Sequence, residues 1–271
     1  MSRNYSLLRI EYREDICWLT VNRVKDRNSI NTALMEELDR ALTEAEGTPA
    51  RAAVITGAGK TYFIGGADGV EMMQCNPDEA AAFSRRIQNL FNRMEASPLL
   101  LVAAINGLCF GGGYELALAC DFRIAGDRAR IGLPEVKVGL IPGGGGTQRL
   151  PRVVGLGRAL EMILSGRLYP AKEALDLNLI HTLVPAEDLL GETAKFLRPI
   201  LKSPAYALAQ AKRAVRVSQD RPLSEGLRVE TEEFRKCFDH PYFVKLMCHQ
   251  IKTGVLSTTV SLPEGLCEEG G

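Results

Sequence analysis

The sequence lacks an excess of charge of either sign. Its 33 Lys and Arg balance 33 Asp and Glu, so no global field gathers nucleic acid or an anionic membrane surface. Histidine is scarce, and His181, His240 and His249 lack the short spacings that hold a metal; structural or surface roles are expected for them. The cysteines at 17, 75, 109, 120, 237, 248 and 267 are odd in number and include no CxxC pair. Several sit inside apolar patterns, which reads as reduced thiols in a cytoplasmic protein. The opening Met1-Ser2-Arg3-Asn4-Tyr5-Ser6 has no basic stretch running into an apolar core, so no secretory leader is expected. The apolar run before Gly107 is too short for a bilayer and is broken by Asn106, Gly107 and Glu115. These absences predict a soluble, cytoplasmic chain with no nucleic-acid, membrane or metal partner.

What is present suffices for a large core: 46% of the 271 residues are hydrophobic. Residues 5–11 and 16–22 read as strands joined at Arg13-Glu14-Asp15, a hairpin. The spacing of Leu34, Leu38, Ala41, Leu42 and Ala45 predicts a helix from Asn31 to Glu46, which Asn31 can cap. A buried strand over 51–56 ends at Gly57, and a helix covers 77–96. Strand 99–105, a glycine turn, helix 112–120 and strand 121–125 follow. From about Gly191 the pattern becomes helical and amphipathic, over 191–201, 204–218, 222–238 and 241–252. The tail from Ser257 is rich in Ser, Thr, Gly and Glu and is expected to fray. The expected organisation is an α/β core over 1–190, a helical region over 191–256 and a flexible tail over 257–271.

Three segments carry chemistry. In Phe63-Ile64-Gly65-Gly66-Ala67-Asp68-Gly69-Val70, glycines after an apolar pair leave the Ala67 N–H bare, and Asp68 can cap a helix; an ordinary glycine-rich loop has the same composition. In Gly111-Gly112-Gly113-Tyr114-Glu115, tight packing would account for the glycines but not for Glu115. A carboxylate among apolar side chains is costly unless compensated, yet the first turn of a helix favours its charge, so it can act as a base. In Leu133-Pro134-Glu135, Pro134 biases Leu133 toward an extended backbone, which suits presenting Glu135. The glycines at 143–146 before a helix suit close approach of a ligand.

Two lookalikes lack their required context. Gly57-Ala58-Gly59-Lys60-Thr61 resembles a phosphate-binding P-loop, but Val54 stands where that pattern needs glycine, and no helix starts at Lys60. The glycines at 143–146 and 155–157 suggest a dinucleotide site, but no strand–GxGxxG–helix unit with its acidic residue follows. Lys202, Lys212, Arg213 and Arg216 lie at helical spacing and read as a solvated face, some within reach of a phosphate.

In this order, GGADGVEM, AAINGLCFGGGYELALACDFRIA and LPEVKVGLIPGGGGTQRLPRVVG resemble the crotonase (enoyl-CoA hydratase/isomerase) superfamily, over about residues 5–215. The resemblance implies an α/β, crotonase-like (ClpP/crotonase) fold, a stacked ββα superhelical core with a C-terminal helical region that packs trimers. It implies an oxyanion hole from the Ala67 and Gly112 N–H groups, facing the thioester carbonyl of an acyl-CoA. Gly66, Asp68, Gly69, Val70 and Gly143 are expected to bind substrate. Glu115 and Glu135 match the catalytic pair of the hydratases, with Glu115 activating water and Glu135 serving the proton at Cα. The implied assembly is a homotrimer or homohexamer, without metal or cofactor beyond the coenzyme A of the substrate. An enoyl-CoA isomerase or another crotonase-type lyase is the alternative enzyme, and a non-catalytic acyl-CoA-binding subunit the alternative of another class. The chain departs from the family pattern at Gly69-Val70, where many hydratases have a bulkier residue and a Lys, and from Lys236 to Thr259. Met72, Met73, Phe83 and Phe91 are candidates for the acyl-pocket wall.

Overall fold

The computed structural model describes residues 5–256 and Cys267. The chain divides into two compact units, one ending at Ala205 and one beginning at Tyr206. The first unit runs β1 (Leu8–Arg13), β2 (Ile16–Val21), α1 (Thr32–Glu46), β3 (Ala52–Gly57), β4 (Tyr62–Gly65), α2 (Gly69–Met72), α3 (Pro77–Glu95), β5 (Leu100–Ile105) and β6 (Leu108–Phe110). It continues through α4 (Gly112–Ala119), β7 (Phe122–Gly126), β8 (Arg130–Gly132), α5 (Gly146–Val154), α6 (Leu156–Ser165), β9 (Tyr169–Pro170), α7 (Ala171–Asp176), β10 (Thr182–Val184) and α8 (Leu189–Ile200).

Its strands form two sheets, ordered β1-β2-β3-β5-β7-β10 and β4-β6-β8-β9. Only β1/β2 and β8/β9 pair antiparallel. Successive strand pairs (β3 then β4, β5 then β6, β7 then β8) place one strand in each sheet before the chain returns through helix. This repeat is the ββα spiral that the resemblance implies, and it stacks the strand-to-strand turns above one another. β5 is buried along its whole length, as a strand covered on both faces must be. Sequence reading passes from 99–105 to the helix through a single glycine turn; the chain inserts β6 there, three residues too short for a periodic signal.

Local chemistry sets the helix starts. Asn31 accepts from Leu34 N at 2.9 Å and caps α1, whose Leu34, Leu38, Ala41, Leu42 and Ala45 are buried as expected. Asn76 and Glu79 form a capping box at α3, with Pro77 in the first turn. α4 is buried on every face, so any polar side chain within it needs partners.

The second unit contains α9 (Ala205–Val217) beyond its first residue, α10 (Leu223–Cys237) and α11 (Tyr242–Lys252). Glu233 of α10 is buried and takes Lys236 at 2.9 Å and Arg213 at 3.2 Å. The reading of the cysteines as reduced thiols is corrected at one pair. Cys248 and Cys267 form a disulfide with Cα atoms 5.4 Å apart, while Cys17, Cys75, Cys109, Cys120 and Cys237 remain thiols. A separation of 19 residues carries no motif, so only proximity in the fold reveals that pair. The tail expected to be flexible lies, apart from Cys267, outside the described residues. Among the described residues no helix is long and apolar enough to cross a membrane.

Candidate active site

The Ala67 loop is shaped by its neighbour Ile30. Ile30 N–H donates to the Gly66 carbonyl at 2.9 Å, and Asp68 N–H donates to the Ile30 carbonyl at 2.8 Å. In this parallel bridge the intervening residue, Ala67, turns its own N–H to the opposite side. Asp68 accepts from Val70 N at 3.0 Å and Glu71 N at 3.3 Å, capping α2, and from Arg23 Nη2 at 3.0 Å. Burial pushes the Asp68 carboxyl up, but Arg23 and the two amides hold it below its ordinary value. Gly69 and Val70 open α2 at an exposed lip.

α4 closes on this loop. A methyl placed on Gly112 would lie 3.2 Å from Ala67 N, so the two backbones nearly touch. Neither the Ala67 nor the Gly112 N–H has an acceptor among the described residues. Gly111 has φ +55°, a conformation side chains rarely adopt. A Cβ there would lie 3.3 Å from Glu135 Oε1 and 3.6 Å from Gly66 Cα. Gly66, Ala67, Gly111, Gly112 and Glu135 therefore converge on one spot.

Glu115 is 2% exposed and rises from the first turn of α4. Its Oε1 accepts from Gly144 N at 2.8 Å and Gly146 N at 2.7 Å. A Cβ on Gly144 would lie 2.7 Å from Glu115 Oε2, which accounts for glycine at that place. Burial raises the Glu115 carboxyl above its ordinary value, against the pull of these amides and of Arg149. Glu135 opens a 3-10 turn after Pro134, and its Oε2 is buried without a hydrogen-bond partner. Burial, then the charge of Glu115, push Glu135 up to about 7. One carboxyl takes two amide donors on one oxygen and the other keeps an oxygen without a donor, a difference in surroundings that suits a base and an acid.

Sequence reasoning gave the glycines at 143–146 only the close approach of a ligand; it missed that Gly144 and Gly146 grip Glu115, and assigned no role to Ser84, Gln88 and Arg149, which hold their loop. Gly143 lies on that loop, its carbonyl taken by Ser84 Oγ at 2.7 Å and Gln88 Nε2 at 2.8 Å. The glycine run was the available signal, but Glu115, Ser84 and Gln88 stand 29 to 59 residues from it, with only Arg149 near in sequence. Of the wall candidates, Phe91 packs against Gly144 and Phe83 lies in the core, Met72 is partly buried against it, and Met73 is 80% exposed. His181 accepts from Arg123 N at 3.1 Å and is held down to about 4 by burial and Arg123, a structural role as expected. No group of three or more His, Cys, Asp or Glu among the described residues is placed to hold a metal ion.

The chain is similar in sequence and fold to known proteins. A protein-family model described as enoyl-CoA hydratase/isomerase matches residues 11–248, past the point where the motif likeness ends. A short-chain-enoyl-CoA hydratase of Clostridium acetobutylicum is 35% identical, over 84% of this chain and 88% of its own. A crotonyl-CoA hydratase of Syntrophomonas wolfei is 36% identical, over 86% of this chain and 90% of its own. The crystal structure of an enoyl-CoA hydratase from Bacillus anthracis superposes with a TM-score of 0.86 at 33% identity, covering 92% of this chain and 97% of that one.

Proposed function

The chain belongs to the enoyl-CoA hydratase/isomerase family, and on that premise we propose that it adds water reversibly to a 2-enoyl-CoA, giving a 3-hydroxyacyl-CoA. The observation that carries this reading is the meeting of two unclaimed N–H groups, Ala67 and Gly112, with two carboxyls of opposite surroundings. The thioester oxygen accepts from both N–H groups. Glu115 takes a proton from water as its oxygen bonds to Cβ. The electron pair of the double bond moves toward the thioester, and the two donors stabilise the resulting enolate oxygen; one such donor is worth about 10²–10³ in rate. Glu135 gives its proton to Cα. Transfer of a proton from Glu115 to Glu135 then restores both groups.

Gly66 shapes the oxyanion loop, Asp68 fixes it through α2 and Arg23, Gly69 and Val70 border it, and Gly143 lies on the loop beside the water. The addition balances in protons alone, so no cofactor is assigned beyond the coenzyme A of the substrate. The five thiols fit a cytoplasmic setting, to which the Cys248–Cys267 disulfide is the exception. Leu156, Leu160 and Leu164, exposed along α6, fit burial against further copies in a homotrimer or homohexamer, which light scattering would read as three or six chain masses.

The deciding experiment follows loss of the conjugated-enoyl absorbance of crotonyl-CoA. Hydration by the wild type, lowered about 10²–10⁴-fold in Glu115→Gln, supports the assignment. Binding without hydration, also of longer and branched enoyl-CoAs, overturns it in favour of a non-catalytic acyl-CoA-binding subunit.

A further inference from the structure

Helix α3 carries a polar line, Ser84, Gln88, Asn92 and Glu95, on spacings of four, four and three, which share one side of a helix. Ser84 Oγ and Gln88 Nε2 both donate to the Gly143 carbonyl, at 2.7 and 2.8 Å, and Gln88 Nε2 also donates to Ser84 Oγ at 3.0 Å. Further along, Asn92 Oδ1 accepts from Arg149 Nη2 at 2.7 Å, and Glu95 accepts from Arg149 Nε and Nη2 at 3.0 and 2.9 Å. The other arm of Arg149, Nη1, donates to the Gly144 carbonyl at 3.0 Å. α3 therefore reaches two consecutive peptide groups of the glycine loop.

The peptide between Gly143 and Gly144 is trans and planar, so its C=O and N–H point in opposite directions. Its carbonyl is held by α3, and its N–H donates to Glu115 Oε1 at 2.8 Å. If this plane turned over, the Gly143 oxygen would face the buried carboxylate, acceptor against acceptor. A glycine pair opposes such a turn weakly, because no Cβ restricts φ on either side. We propose that Ser84, Gln88 and Arg149 are positioning residues for the reaction: Ser84 and Gln88 lock the peptide after Gly143 so that the Gly144 N–H stays aimed at Glu115, and Arg149 holds the next peptide of the same loop. The inference rests on Glu115 being the base that activates water.

The charges facing Glu115 are Glu135, from the turn after β8, and Arg149 from α5, itself countered by Glu95 of α3. Of the strands packed on α4, β7 carries Arg123, engaged with the Ala117 and Cys120 carbonyls at the far end of the helix. β6 carries Cys109, whose thiol burial keeps neutral, and β4 and β5 carry no charge.

The test is the double variant Ser84→Ala/Gln88→Met, with Ser84→Thr as the conservative control. Glu115 is titrated in the ligand-free protein by ¹³C-carboxyl NMR, its signal identified by its absence in Glu115→Gln. A carboxylate that loses an amide donor is less favoured in its charged form, so the titration and the acid limb of kcat move to higher pH by roughly one unit. kcat at neutral pH falls on the order of tenfold, KM stays within about twofold, and Ser84→Thr keeps wild-type values. An unmoved titration in the folded double variant overturns the proposal, as does a kcat loss uniform across pH. If the double variant does not fold, Ser84→Ala alone is expected to move the titration by about half a unit, and no movement there overturns the proposal equally. A wild type that hydrates no enoyl-CoA refutes the hydratase reading instead, and the NMR titration still decides the positioning.

Discussion

Glu135 keeps a buried oxygen without a donor, and its cost depends on pH. Its carboxyl is raised from the ordinary 4.5 to about 7, so the fold favours the protonated form. That contribution to stability is fully present below pH 4.5 and is lost as pH rises through 7. Glu135→Gln, which keeps the shape without the charge, is therefore expected to be more stable than wild type at pH 8, by on the order of 2 kcal/mol, and no more stable at pH 4. Urea unfolding at the two pH values checks this; equal differences at both would contradict the assignment. Glu115 contributes to the same shift, so Glu115→Gln is expected to lower the Glu135 titration, as NMR would read. Both glutamates were legible from their motifs. Which one would be gripped by amides was not, since the donors come from a loop 29 and 31 residues further on.

At the scale of elements, α4 and α3 do different work. In the proposed oxyanion hole, the N–H at the first turn of α4 is open to an acceptor because Gly112 has no Cβ. Gly112→Ala would place a methyl 3.2 Å from Ala67 N and 3.6 Å from Ile87 Cδ1, in the space the thioester oxygen needs. A fall in kcat/KM of about 10², with little change in thermal midpoint, is the expected result. α3 is a scaffold whose start is set by Asn76 and Glu79. Asn76→Ala is expected to cost about 1 kcal/mol in denaturant unfolding and to leave kcat nearly unchanged. The apolar face of α3 was open to sequence reading. Its polar line was not, because a stripe meeting a loop and a stripe meeting water have the same pattern.

For the whole molecule, the alternation of strands, turns and helices was legible as far as the strand at 121–125, and the spiral of two sheets follows once strand order is known. The cysteines were the exception. Alkylation of the denatured chain without reductant is expected to label five of the seven, and all seven after reduction. Seven labelled in both conditions would contradict the Cys248–Cys267 disulfide. The helical region was also read correctly as elements, but α8 belongs with the first unit, whose boundary falls at Ala205.

By itself the sequence determined the longer elements, the glycine clusters, the two candidate glutamates and the family, because period, caps and turns are written in neighbours a few residues apart. The tertiary structure alone decided which carboxyl is gripped and which polar residues of α3 hold the glycine loop. Those outcomes depend on donors and acceptors 29 to 59 residues apart, which meet only after the sheets and helices have packed.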